Sequence, residues 1–453
     1  MTDVRADGPQ TGGPSLRRVM GPKLLLFFVV GDIIGTGIYA LTGQVAGRVG
    51  GALWLPFLLA FVVAFMTAFS YLELVGKYPR AAGAALYTNK AFGVPFLTFM
   101  VAFAVMCSGI TSASSAAVAF GATYLAAFVK LPMVLVGIVF VIALALINFR
   151  GVGESVKANA VLTCIELSGL LIIIGVGVWA VINGDGEPSR LVEINTADKT
   201  WLVAITSATS LAFFAMVGFE DSVNMAEECH DPVRIFPKAM LWGMVIAATI
   251  YVLVSITSSL LVPAGDLAAA KSSALLTVLD VGAPGFPREI FSAIGLFAVI
   301  NSALINMLMA SRLLYGLANE RVLPAVFGRV HPTRRTPWVS IIFTSAIAIL
   351  LVSFVDISAL GGTTALLLLV VFAIVNVALL VLRKDKVAHK HFRAPTAIPV
   401  LAAIFCLYLV SPLSGRPASD YTVGAVLLGV GVVLWFVNWL VKRGLDRRSE
   451  RVG

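Results

Sequence analysis

The amino-acid sequence predicts an all-α polytopic membrane protein, and two observations carry that expectation. Of 453 residues, 59% are hydrophobic and only 13% charged, with a mean hydropathy of +0.96, too apolar for a soluble domain of this length. The apolar stretches run about 18 to 25 residues, and at about 1.5 Å per residue each crosses a hydrocarbon core of about 30 Å. Helices are the expected element.

About twelve spans are expected, at 23–48, 52–76, 94–129 (long, with a break expected near Gly121), 131–149, 158–183, 201–226, 238–262, 287–318, 338–355, 360–382, 397–412 and 421–442. No spacer between them is long enough to hold a second domain, so one membrane domain with short loops is expected. Residues 1–22 contain Asp3, Asp7, Pro9 and Pro14 and no apolar core ahead of a small-residue cleavage site, so they read as a tail and not as a signal peptide. The connection 184–200, with Gly184, Asp185, Gly186 and Pro188, reads as an external loop, 384–396 as a basic loop, and 443–453 as a second tail.

The basic residues set the expected orientation. With the N-terminus cytoplasmic, 26 of the 33 Lys and Arg fall on the cytoplasmic side, and seven (Arg48, Lys130, Arg190, Lys199, Lys271, Arg288 and Arg416) on the other. Both termini are therefore expected inside, at the cell membrane. The net charge of +9 follows from this topology, so no nucleic-acid partner is expected. Cysteines 107, 164, 229 and 406 lack a C-x-x-C spacing, and histidines 230, 331, 389 and 391 lack an H-E-x-x-H pattern. No metal and no cofactor is expected.

The first span contains "VVGDIIGTGIYAL" (29–41), which puts Asp32 beside Gly31, Gly35 and Gly37 in an apolar run. An interruption is expected at Gly35-Thr36-Gly37, and a second in "FFAMVGFED" (213–221), at Ala215 to Gly218, followed by two acids. The interruptions lie five spans apart. Because five is odd, the second set of five would run through the bilayer inverted, and paired interruptions at matching positions point to a transporter of inverted repeats. The expected halves are 23–183 and 201–383, with 397–442 outside them. Glycines that merely permit close helix packing are the competing explanation.

Unwound backbone at membrane depth must be buried in protein or line a wet cavity, since each unpaired N–H or C=O otherwise costs about several kcal/mol. Amides of Thr36, Gly37 and Ile38 would open the second half-helix, whose positive end suits a carboxylate. Carbonyls of Ile33, Ile34, Phe213, Phe214 and Val217 would suit an ammonium. An anion pocket beside a cation pocket describes an α-amino acid. Asp32 falls in the last turn of the first half-helix, where the partial negative charge disfavours an anion, and Glu220 is expected at the opposite dipole end. Two acids in opposed fields suggest one proton carrier and one fixed charge, with an acid exposed in an aqueous vestibule as the alternative.

Glu166 lies mid-span, and Asn159, Thr163, Glu166 and Gly169 recur at i, i+4, i+7 and i+10, drawing a polar stripe expected to face the bundle. Ser108, Thr111, Ser112 and Ser115 on the third span, and Ser292, Gly295, Ser302 and Asn306 on the eighth, read first as packing contacts. Asn301 and Ser302 are kept as neighbours of the site.

These residues resemble the amino acid–polyamine–organocation transporter superfamily, in its amino acid permease branch. "GTGIY" (35–39) is similar to the first-helix substrate motif, and "YLELVGKYPRAAGAALY" (71–87) to the pattern after the second helix. "FFAMVGFED" with "AEECHDPVRIFPKA" (226–239) resembles the sixth helix and its following loop. "ASRLLYGLANERVLP" (310–324) and "HPTRRTP" (331–337) resemble the end of the eighth helix and the next loop. The resemblance implies ten core helices in two inverted, leucine-transporter-like halves, two peripheral helices, and alternating access to a central site. By position, Ile33, Thr36 and Gly37 would hold the substrate's backbone groups. Phe214 would gate it, Val217 would add a carbonyl, and Glu220 matches an acid tied to gating and, in polyamine exchangers, to cationic substrate. A lysine of some sodium-independent relatives is replaced here by Glu166.

The expected function is secondary active transport of an amino acid, coupled to a proton or to a counter-substrate, in a lipid bilayer. A cationic amino acid is favoured over a neutral one, with a polyamine or organic amine as the alternative. A channel would call for a filter or charge ring, which the sequence does not offer. An intramembrane aspartyl protease is disfavoured because Val29 and Val30 precede Gly31-Asp32 where a G-x-G-D context is needed. Gly35-Thr36-Gly37 lacks the preceding strand of a dinucleotide loop.

Overall fold

The computed structural model describes residues 20–79, 83–150, 155–196, 199–223, 229–319, 323–334 and 336–449. Parts of the quoted motifs (80–82, 226–228, 320–322 and 335), most of the first tail (1–19) and the last four residues of the second (450–453) lie outside the described residues.

Among the described residues the chain is helical apart from one isolated β-bridge between Met20 and Cys229. The first span is two helices, α1 (Pro22–Ile33) and α2 (Thr36–Val49). Then follow α3 (Trp54–Lys77), α4 (Gly83–Phe92), α5 (Pro95–Ala119), α6 (Met133–Arg150), α7 (Ser155–Asn183) and α8 (Trp201–Ala212). Next come α9 (Pro232–Leu261), α10 (Ala264–Ala270), α11 (Ala274–Gly282), α12 (Arg288–Asn319), α13 (Trp338–Phe354), α14 (Ile357–Leu382), α15 (Ala397–Val410) and α16 (Ala418–Ser449). Among the described residues, ten segments are long and apolar enough to cross a membrane. The other two of the expected twelve, α13 and α15, have 17 and 14 residues. They would rise only about 26 and 21 Å against a core of about 30 Å.

Local chemistry explains the ends. Pro22, Pro95 and Pro232 stand in the first turns of α1, α5 and α9, where a missing N–H costs nothing. Asp231 accepts from the Arg234 N–H at 3.4 Å and Asp356 from the Ala359 N–H at 3.0 Å, each capping a helix start. Helix α9 begins six residues before its expected start, because Pro237 is accommodated inside it. The break expected near Gly121 is a π-helical turn, Phe120–Tyr124, that turns the Tyr124 hydroxyl onto the Tyr39 carbonyl at 2.8 Å.

Helices α2, α8 and α14 are buried almost all round and form the centre of the bundle. Helices α6, α7 and α16 expose large apolar side chains such as Leu146, Trp179, Ile182, Val433 and Phe436, a surface suited to acyl chains. At the end of the bundle where α3 and α14 finish, buried Glu73 takes two hydrogen bonds from Arg383, at 3.1 and 2.8 Å, and a third from the Ala394 N–H at 2.8 Å. Lys77 donates to the Leu382 carbonyl, and Tyr78 to Asp385 at 2.9 Å. Burial and that bond push the Tyr78 hydroxyl up to about 12, so it remains a donor at neutral pH. The 383–396 loop is thereby tied down on α3.

Candidate functional site

The first interruption is narrower than expected. Ile34 is extended (φ −77°, ψ 103°), Gly35 follows at φ −163°, ψ −140°, and Thr36 and Gly37 already belong to α2. Their amides, with that of Ile38, are first-turn donors without intrahelical partners. In the second interruption α8 ends at Ala212 and tightens into a 3-10 turn, Phe213–Met216. Val217 is extended (φ −74°, ψ 148°) and Gly218 sits at φ +123°. A 3-10 turn, 221–223, follows directly after Glu220, and residues 224–228, over which the expected second half-helix would continue, lie outside the described residues. The Glu220 Oε2 accepts from the Gly218 N–H at 2.9 Å, a carboxylate folded back onto the break itself.

The two interruptions touch. A Cβ on Gly218 would stand 2.6 Å from the Asp32 carbonyl oxygen, and one on Gly37 would stand 2.5 Å from the Ala215 Cα. Backbone therefore meets backbone twice, and glycine is what permits it. Beside these contacts lies a small cavity. Asp32, Ile33, Gly35, Thr36, Gly37, Phe214, Val217 and Ser302 line it, eight of the residues singled out by sequence. Asp32 Oδ2 and Thr36 Oγ1 are buried with no hydrogen-bond partner among the described residues. Such groups are costly to leave unpaired and point to a ligand or water.

Other expected site residues fall elsewhere. Phe213 is fully buried and packs its ring on Phe372 at 5.9 Å, away from the cavity lining. The Ile33 carbonyl already accepts from the Tyr251 hydroxyl at 2.6 Å, which leaves one lone pair. Glu166 and Asn301 are buried and do not line the cavity. The stripe on α7 is buried as expected: Asn159, Thr163 and Glu166 are at most 4% exposed, and Thr163 and Asn159 pack against Gly31 of α1. Both Glu166 carboxylate oxygens lack a hydrogen-bond partner among the described residues, as does the Asn301 amide nitrogen. The Tyr39 hydroxyl donates to the Glu166 backbone carbonyl at 2.6 Å, fixing α2 to α7 beside that carboxylate.

Sequence reasoning missed Asp221, Ser112 and Asn306 as cavity residues. Asp221 also lines two further small cavities that Glu220 shares, bounded by Val105 and Leu313 and, in one of them, by Tyr71 and Ala84. The consecutive acids Glu220-Asp221 were the available signal. A turn without helical period gave no means to say which of the two faces inward.

A chamber walled by unwound backbone at the centre of a bundle of apolar helices defines a multi-pass membrane transporter. The chain belongs to the amino acid permease family, whose model matches residues 21–437, and it is not an enzyme. It is 24% identical to the branched-chain amino acid permease of Bacillus subtilis over 94% of both chains. It is 28% identical to the low-affinity putrescine importer of Escherichia coli, over 72% of this chain and 73% of that one. With the chloroplastic cationic amino acid transporter 9 of Arabidopsis thaliana it shares 26% identity, over 71% of this chain and 59% of that one.

Proposed function

We propose that the protein carries an amino acid or a related amine across the cell membrane, alternately exposing the cavity at the paired interruptions to either side. One observation carries this reading: Thr36 and Gly37 of the first turn of α2, Val217 and Gly218 of the second interruption, and the acids Asp32 and Asp221 line a single cavity. Thr36, Gly37 and Ile38 amides suit the substrate carboxylate, and the Ile33 and Val217 carbonyls its ammonium. Transport is coupled to a proton or to a counter-substrate, with Asp32 as the proton carrier. Glu166, Glu220, Asn301 and Ser302 support coupling and gating. The two halves, 23–183 and 201–383, act as inverted repeats, and both termini face the cytoplasm.

A cationic amino acid is the favoured substrate. Asp221 reaches the central cavity, and Glu220 lines a further one with Val105, Met106, Met309 and Leu313, apolar walls for a methylene chain with carboxylates beside them. The same walls support the second reading, a linear polyamine. The names of the relatives span both chemistries.

Uptake of radiolabelled arginine, leucine and putrescine into proteoliposomes, with and without an inward proton gradient, tests this. Saturable arginine uptake with counterflow supports it. Flux that rises linearly with concentration would make the protein a channel, and transport of none of the three would overturn the substrate class.

A further inference from the structure

The connection between α15 and α16, in the part of the chain outside the two expected repeats, reaches into the bundle and grips α8. Arg416 and Asp420 form an ion pair at 3.0 Å with both side chains fully buried. Arg416 donates through Nε to the Leu409 carbonyl at 3.3 Å, through Nη1 to the Gly362 carbonyl at 2.6 Å, and through Nη2 to the Ser210 carbonyl at 3.2 Å. Ser210 lies in the last turn of α8, where carbonyls lose their i+4 partners as the helix tightens into Phe213–Met216. Arg416 thus satisfies an acceptor that unwinding sets free, four residues before Phe214 of the cavity wall.

The same connection holds α8 at two further points. Thr206 Oγ1 donates to the Ser414 carbonyl at 3.0 Å, and Gly415, at φ +75°, lies so close that a Cβ there would stand 2.6 Å from Val203 Cγ1. Asp420 is fixed in turn: its carbonyl accepts from Thr363 Oγ1 at 3.3 Å, and its side chain packs against Gly362 of α14. Arg48, at the end of α2, donates to the Ser207 carbonyl at 2.9 Å, so two arginines from different elements hold carbonyls three apart on one helix.

We infer that Arg416 and Asp420 are positioning residues for transport: they brace the last turn of α8 so that Phe214 and Val217 are presented to the substrate cavity. The mechanism is mechanical. A buried pair with this many acceptors does not open readily, because separation would leave both charges uncompensated away from water, so the brace persists while the interruption it anchors flexes. The α15–α16 hairpin is then part of the site's support and not a peripheral addition.

The inference rests on reading the cavity as the substrate site, so the unmodified protein's saturable uptake tests that reading first. Arg416→Lys keeps a charge opposite Asp420 but cannot reach all the carbonyls, and Arg416→Met removes the charge. The lysine variant is expected to raise KM for the transported substrate about fivefold with Vmax per folded molecule changed less than twofold, and the methionine variant to raise it further. A readout independent of transport uses Phe214→Cys in a background lacking the four native cysteines. Its labelling by a water-soluble maleimide is expected to quicken at least threefold when Arg416→Lys is added. Unchanged KM and unchanged labelling in a folded Arg416→Lys protein would overturn the inference, whatever the substrate proves to be.

Discussion

Gly218 rests on the carbonyl of Asp32, so close that a Cβ at residue 218 would stand 2.6 Å from that oxygen and 2.7 Å from its carbon. Because both partners are backbone, no rotamer change relieves the crowding, and φ +123° at Gly218 disfavours any side chain besides. Gly218→Ala is expected to cut uptake roughly tenfold or more, equivalent to about 1.4 kcal/mol. Gly37→Ala, which meets the Ala215 Cα, should behave alike. Gly175→Ala, on α7 with nothing within 4 Å, is the control and should stay within twofold of the unmodified protein. Initial uptake rates corrected for protein inserted check all three.

Asp221 is the carboxylate shared by the central cavity and both further ones. Asp221→Asn keeps shape and removes charge. It is expected to lower arginine uptake at least tenfold relative to leucine uptake, read as the ratio of kcat/KM for the two. A ratio that stays constant would remove Asp221 from substrate selection.

Asp32 has a buried, unpartnered oxygen in the cavity wall, where substrate and proton can both reach it. With a proton carrier at this position, uptake rises as the external pH is lowered below the internal one. Asp32→Asn holds the neutral form permanently, so uptake should become nearly flat across the same range while substrate exchange continues. A variant that keeps the original profile would assign the proton to another group.

Glu73 and Arg383 are a buried bidentate pair that also holds the Ala394 N–H. Removing one partner strands the other, which costs about 3–5 kcal/mol in buried pairs. Arg383→Met should therefore lower the midpoint of thermal unfolding in detergent by several degrees, and Glu73→Met with Arg383→Met together should recover part of the loss. Equal midpoints for the single and double variants would show the pair to be uncoupled.

Much of this was legible in the chain because membrane burial makes anomalies conspicuous. An aspartate among glycines at 31–37 cannot be lipid-facing helix, and an interruption is present there, at Ile34-Gly35 where Gly35-Thr36-Gly37 was expected. The polar stripe on α7 was readable because helical period is exact enough to place Asn159, Thr163 and Glu166 on one face. The period fails where the helix does. Beyond Ala212 the chain is 3-10 turn and extended backbone, so nothing in the sequence told that Phe213 turns to Phe372 or that Asp221 enters the cavity. Short helices such as α4, α10 and α11 escaped notice because they lie in connections, where apolar length is no guide. Arg416 read only as a charge on the far side of the membrane, since two of the carbonyls it holds lie on α8 and α14, more than fifty residues away.

The central claim is that both interruptions face one solvated chamber that the substrate occupies. Single cysteines at Thr36 and at Val217, in a background without the native four, can be labelled with a small water-soluble thiol reagent with and without saturating substrate. The prediction is that both positions react and that one substrate, at one half-maximal concentration, protects both. Labelling of one site only, or protection of one without the other, would contradict it.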